Sequence, residues 1–194
     1  MIKYLKSIIT MVALIPATLL YSQSINVIEA EMHVNGTSSL HDWQSEVTQV
    51  KVSGEIKTEN GELTGISNIK VEVPVISIKS TKGSVMDNKT WDAFNHEKYP
   101  TIRFKMTNLD KLTKETYGYS MRVNGILSMA GSSKNISLKV ECSNINQNVF
   151  EFSGIHKIKM TEYGMTPPTA LFGTLKTGNE IKIDFLVKIQ STNS

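Results

Sequence analysis

The chain has 194 residues, 40% hydrophobic and 20% charged, with 21 Lys+Arg, 18 Asp+Glu and a single cysteine. Lys3 and Lys6 sit at the extreme N-terminus; setting them aside leaves 19 basic residues against 18 acidic, a net charge of +1 with both signs interspersed. Such a balance offers no electrostatic footprint for nucleic acid, and a lone cysteine offers no internal disulfide.

Residues 1–23 read as a secretory signal. Lys3 and Lys6 form a basic start, Ile8 to Leu20 a short apolar run, and Ser22-Gln23 the close. The run is too short to span a bilayer comfortably, and no cysteine near its end offers a lipid anchor. The mature domain is then expected over residues 24–194, about 170 residues, enough for one domain with a sizeable core. Strand signals follow at residues 24–34, 46–58, 66–78, 101–109, 117–129, 135–143, 149–160 and 180–190. Glu59-Asn60-Gly61 and Gly131-Ser132-Ser133 are hairpin signals between them.

One segment breaks the pattern. Met86, Thr90 and Phe94 recur at helical spacing with Trp91 beside Phe94, so residues 86–99 read as an amphipathic helix that Pro100 ends. Strands at regular spacing, with no alternating helices, point to an all-β sandwich or barrel. The last strand sets Ile181, Ile183, Phe185, Val187 and Ile189 on one face and Lys182, Asp184, Leu186 and Lys188 on the other. An outer-membrane barrel carries its apolar face outward, and outward charges near the bilayer midplane cost roughly 2–4 kcal/mol each. With aromatics at 7% and no aromatic girdles, the water-facing reading fits better.

Five phrases in order carry a family resemblance. They are Val34-Asn-Gly-Thr-Ser-Ser-Leu-His41-Asp42-Trp43, Val73-Pro-Val-Ile-Ser77-Ile-Lys-Ser80, the helix running into Tyr99-Pro100-Thr-Ile-Arg-Phe104, Gly125-Ile-Leu-Ser-Met-Ala-Gly131-Ser-Ser-Lys134, and Thr161-Glu-Tyr-Gly164-Met-Thr-Pro167-Pro168. Together the chain resembles the YceI-like family of exported lipid-binding proteins. The resemblance implies a lipocalin-like antiparallel β-barrel of about eight strands around an apolar channel, with one short helix covering it. It also implies an amphiphilic ligand with an isoprenoid, quinone-like or fatty-acyl body. A barrel of eight strands either fills its interior with side chains or holds one small ligand.

On that reading the lipid-contacting candidates are Trp43, Met86, Trp91, Phe94, Phe104, Met106, Met121, Met129, Phe152 and Phe172. Methionine is unbranched and adapts to irregular apolar partners, whether a flexible tail or an ordinary core. Trp91 and Phe94 either cap the channel or simply pack the helix onto the barrel. Phe172 lies in the apolar loop Pro167 to Gly173, which gates the mouth or closes the barrel end. His41, Lys79 and Lys82 are the headgroup candidates, the lysines being equally at home in a solvated loop. Arg103 and Arg122 alternate with inward neighbours and point outward, which weakens a pyrophosphate head. Cys142 falls on the inward face by counting from Ile136 and reads as a small hydrophobe.

His41 and Asp42 are adjacent on an extended segment, which sends them to opposite faces rather than into a relay. His33, His41, His96 and His156 are scattered without metal-ligand spacing. No cofactor and no metal are expected, and no Gly-x-Ser-x-Gly elbow is present. The reading is therefore a periplasmic or secreted, non-enzymatic protein that binds an amphiphilic lipid and does not span a membrane; a homodimer is left open. Two alternatives stand beside it: an enzyme with a polar site near His41 and Asp42, and a structural barrel with a filled core. N-terminal sequencing of protein from an envelope fraction is expected to read a start near Ser22 to Ser24; a mature chain beginning at Met1 overturns the signal.

Overall fold

The computed structural model describes residues 22–146, 148–170 and 173–191. Residues 1–21, most of the segment read as a signal, and Phe172 of the proposed gate lie outside them. The strands are β1 (Ser22–Ser38), β2 (Trp43–Val47), β3 (Lys51–Glu59), β4 (Glu62–Pro74), β5 (Ile78–Ser80), β6 (Thr101–Glu115), β7 (Gly118–Met129), β8 (Ser132–Asn146), β9 (Val149–Lys159), β10 (Thr169–Ala170) and β11 (Leu175–Ser191). Among the described residues one α-helix, α1 (Ser84–Ala93), joins β5 to β6.

The sheet runs β11-β9-β8-β7-β6-β4-β3-β1, and β1 pairs back onto β11, with Ile25 opposite Ser191 and Gly36 opposite Ile181. Eight antiparallel strands thus close into a barrel, as the lipocalin-like resemblance implies. Closure removes the unpaired edges that an open sheet presents. The expected strands 46–58 and 66–78 are each broken in two, into β2 with β3 and β4 with β5. The breaks lie side by side: Thr48 N–H donates to Ser77 O at 2.9 Å, and Ser77 Oγ donates to Gln49 O and Pro74 O. Both strands turn the same corner, so that β2 and β5 extend the wall beyond the ring.

Turn chemistry fixes the registers. Asn60 and Gly61, both at positive φ (52° and 79°), join Glu59 to Glu62 as the hairpin signal anticipates. The β7–β8 turn sits one residue earlier than expected, on Ala130 and Gly131 at φ 48° and 81°. A two-residue turn of this hand needs positive φ at both positions, and here an alanine accepts it. β6 is longer than its alternation suggests, because bulges beyond Met106 and Leu109 shift the register. Ile102, Phe104 and Met106 face inward at a spacing of two; Leu109 and Leu112 then recover the inward face across the bulges.

The outer face carries charge. Arg103 pairs with Glu72 at 3.3 Å, Lys157 with Glu180 at 2.9 Å and Lys188 with Glu29 at 2.7 Å, while Lys114 meets Glu62. Exposed pairs like these add little stability, but they make this a surface for water. Among the described residues no helix is long and apolar enough to cross a membrane. Inside, Phe104 is 9% exposed whereas its neighbour Lys105 is exposed. Phe104→Glu or Met106→Glu is expected to lower unfolding free energy by about 3 kcal/mol or more, by stranding an unpaired charge. Lys105→Glu is expected to stay within about 0.5 kcal/mol. Denaturant melts of the three variants check the register.

Candidate functional site

The two ends of the barrel differ. The β3–β4, β6–β7 and β8–β9 hairpins surround one end, and Ile56, Leu63, Tyr119, Met121, Cys142 and Phe150 fill it, each at most 7% exposed. Tyr119 Oη accepts the Leu63 N–H at 3.0 Å, where β4 has no strand partner on its β6 side. Met121, expected at the lipid, thus belongs to this floor. Burial pushes the Cys142 thiol up to about 12, so it stays protonated and inert.

Above the floor the interior is hollow. Val52, Val71, Ile102, Leu138, Phe152 and Val187 face inward yet are only half-buried, because they border empty space. The cavity measures about 190 Å³. An engineered apolar cavity of roughly 150 Å³ stays dry and takes up benzene, so a space of this kind favours hydrocarbon over water. Phe94, Phe104, Met129 and Phe152 of the expected set line it. Two aromatics lie flat against the wall instead of reaching across. A Cβ on Gly125 would stand 2.4 Å from the Phe104 ring, and one on Gly154 would stand 2.6 Å from that of Phe185. The missing side chains make room for the rings and so keep the middle open.

The helix covers the end opposite the floor. It is shorter than expected: it stops at Ala93, not at Pro100. Asn95 takes φ 52°, its N–H donates to Asp92 O at 2.9 Å and the His96 N–H to Trp91 O at 3.1 Å. This paired bonding around a left-handed residue is a common helix stop, usually built on glycine and sometimes, as here, on asparagine. Phe94, 6% exposed, is the helix-end side chain that reaches the cavity. Met86 is half-buried and does not line the cavity; the buried residue of that turn is Asp87. Its carboxylate accepts the Ser80 N–H at 2.6 Å and lies 3.6 Å from Lys79 Nζ. Lys79 also stands 4.1 Å over the Trp91 ring, whose indole N–H donates to Ile78 O at 3.0 Å. Trp91 and Lys79 therefore pin the helix to β5 and stand outside the cavity lining. Lys89 Nζ adds a tie to Thr169 O of β10 at 2.7 Å.

The remaining candidates stand apart from the cavity. Trp43 donates its indole N–H to Thr37 O at 3.0 Å and lies over Gly36. His41 is exposed and its Nδ1 lies 2.7 Å from Asp42 O, a backbone contact and not a carboxylate relay. Ser38 Oγ organises that turn by accepting the Leu40 and His41 N–H groups. Lys82 is exposed, and Met106 is half-buried but outside the cavity lining. Among the described residues no three His, Cys, Asp or Glu are grouped to hold a metal ion.

Two features escaped the sequence reading. Pairing of β8 with β9 runs only from Asn146 opposite Val149 to Val140 opposite Gly154, so the wall is parted beyond that point. Beside the parted stretch, His156 faces the cavity, the one lining side chain among the described residues with a nitrogen or oxygen atom. Counting by twos from Phe150 and Phe152 places it inward, a signal the sequence does contain.

A family model of the YceI-like domain matches residues 25–189. The chain belongs to the YceI-like family. Solved structures share the family's fold. A polyisoprenoid-binding domain from Saccharophagus degradans, implicated in plant cell wall breakdown, aligns at 14% identity and TM-score 0.63, covering 89% of this chain and 99% of that one. BcnA of Burkholderia cenocepacia aligns at 14% identity and TM-score 0.62, covering 82% and 95%. The YceI protein of Campylobacter jejuni aligns at 21% identity and TM-score 0.56, covering 76% and 86%. No curated protein matches the chain.

Burial holds the His156 imidazole below its ordinary value of 6.5. The unfolded chain therefore takes up a proton near pH 6.5 that the folded chain refuses. The corresponding stability is fully present above pH 6.5 and is lost as pH falls through the lowered folded value. Ile181, Ile183, Phe185, Leu138 and Ile158, the inward neighbours on β11, β8 and β9, are uncharged and add no competing titration. Melts of wild type and His156→Phe between pH 7.5 and about 4.5 are expected to diverge below about pH 6.5, with wild type falling faster.

Proposed function

We propose that this YceI-like protein is exported to the periplasm or beyond and binds an amphiphile there, its tail in the barrel cavity, without chemical conversion. The carrying observation is the hollow, almost wholly hydrocarbon interior between a packed floor and a helix-covered end. A structural barrel has no need of that space. An enzyme needs polar groups at the cavity, and His41 and Asp42 stand away from it. The related Saccharophagus degradans domain, described as polyisoprenoid-binding, supports a tail of this class, and the signal-like residues 1–23 support export.

Size refines the expectation of a long tail. About 190 Å³ holds a group somewhat larger than benzene, so one or two isoprene units fit without rearrangement. Each unit contributes roughly 3–4 kcal/mol gross at about 0.8 kcal/mol per CH₂, and ordering the chain returns part of it. A longer tail takes its room from adaptable lining side chains, with Met32 and Met129 the most pliant, or leaves through the parted β8–β9 wall.

Native mass spectrometry of the purified protein is expected to show a co-purified lipid that organic extraction removes. Combined Trp91→Ala and Phe94→Ala is expected to weaken rebinding about tenfold or more. The melting temperature of the delipidated barrel is expected to fall by only a few degrees, because the strands close without the helix. Delipidated wild type that refuses every amphiphile tried returns the structural reading.

A further inference from the structure

His156 is out of place in its surroundings. It takes the inward register of β9 between Gly154 and Ile158, opposite Ile183 of β11, and faces a cavity otherwise lined by hydrocarbon and two methionines. No protein group among the described residues hydrogen-bonds its ring. Its nitrogens are not sealed either, since no fully enclosed side-chain nitrogen or oxygen lacks a partner. The ring is half-buried and forms part of the cavity lining, whose surface is almost entirely carbon. A polar group removed from bulk water and left without a partner destabilises the protein that carries it. The unsealed nitrogens of His156 bear only part of that cost, and a partner entering the cavity relieves it.

We propose that His156 is a ligand-binding residue that hydrogen-bonds a neutral oxygen, a hydroxyl or carbonyl, on the amphiphile held in the barrel. The assignment rests on the lipid-binding reading above and goes beyond it by naming a contact and a chemical class. A neutral imidazole has one donor and one acceptor. Its lowered pKa keeps it in that form at neutral pH, so it serves a carbonyl by donating or a hydroxyl by accepting. It does not neutralise a phosphate, and among the described residues no lysine or arginine lines the cavity to do so. Lys79, clasped between β5 and the covering helix, is engaged with Asp87 and Trp91. The position of His156 along β9, two residues past the last β8–β9 pair, sets this contact on the wall beyond the packed floor. The polar group it meets is one that lies against the apolar cavity lining.

The test compares delipidated wild type, His156→Leu and His156→Gln against three probes of equal chain length: a primary alcohol, a methyl ketone and the parent alkene. Circular dichroism first confirms that the variants fold. Wild type is expected to bind the alcohol and ketone roughly 3- to 10-fold more tightly than the alkene, the span of one net hydrogen bond. His156→Leu is expected to lose that preference while still binding the alkene, and His156→Gln to recover part of it. In wild type alone, the imidazole resonances of His156 are expected to shift with the oxygenated probes and not with the alkene. If all three probes bind wild type alike, or if His156→Leu keeps the preference, the assignment to His156 fails and lipid binding stands. If no probe binds any form, the lipid-binding reading fails and the assignment with it.

Discussion

Everything about this barrel depends on inward side chains that do not meet in the middle. In a ring of eight strands, long or rigid side chains bridge the interior and short ones leave it open. At the floor, Phe150, Tyr119 and Met121 bridge it. Higher up the inner wall is mostly valine, isoleucine and leucine, and the larger Phe104 and Phe185 are laid flat over glycines of neighbouring strands. Gly125 and Gly154 therefore do more than relax the backbone. They decide that bulky rings line a space when they could have filled it.

The helix-covered end is held on different terms. Asp87, Lys79, Trp91 and Ser80 form a small polar clasp between α1 and β5, backed by the Trp91 bond to Ile78 O. Only Phe94 passes from helix to cavity. A few directional contacts fasten this end, whereas the floor is fastened by packing, which has no direction. The end with fewer and more polar ties is the one with the lower local cost of opening.

Much of the fold was legible because period-two alternation and turn chemistry are local. The last strand declared its inner face outright, and Asn60-Gly61 declared its hairpin. The breaks in strands 46–58 and 66–78 were not legible, because they come from one shared corner between Thr48 and Ser77 that no single segment encodes. The helix end was misplaced because Pro100 is a louder signal than Asn95, although the asparagine is the actual stop. At the site, apolar residue type located the channel but only some of its members. Phe94, Phe104, Met129 and Phe152 line it, whereas Met121 fills the floor and Trp43 covers a backbone glycine. His156 was passed over as a scattered histidine because its meaning lies in the company it keeps across the ring.

The ring is completed by its first and last strands. β1 lies against β11 along most of its length, so the wall cannot be finished until residues 175–191 exist and return to the start of the domain. Every other neighbour pair around the ring is nearer in sequence, which makes this closure the slowest contact to find. Until it forms, the growing chain is a curved ribbon with two bare edges, prone to pair with a second copy. Its apolar face is then open to water along its whole length. An interior is thus something this polypeptide acquires in its final step, and a chain released short of β11 has a greasy side where the finished one has an inside.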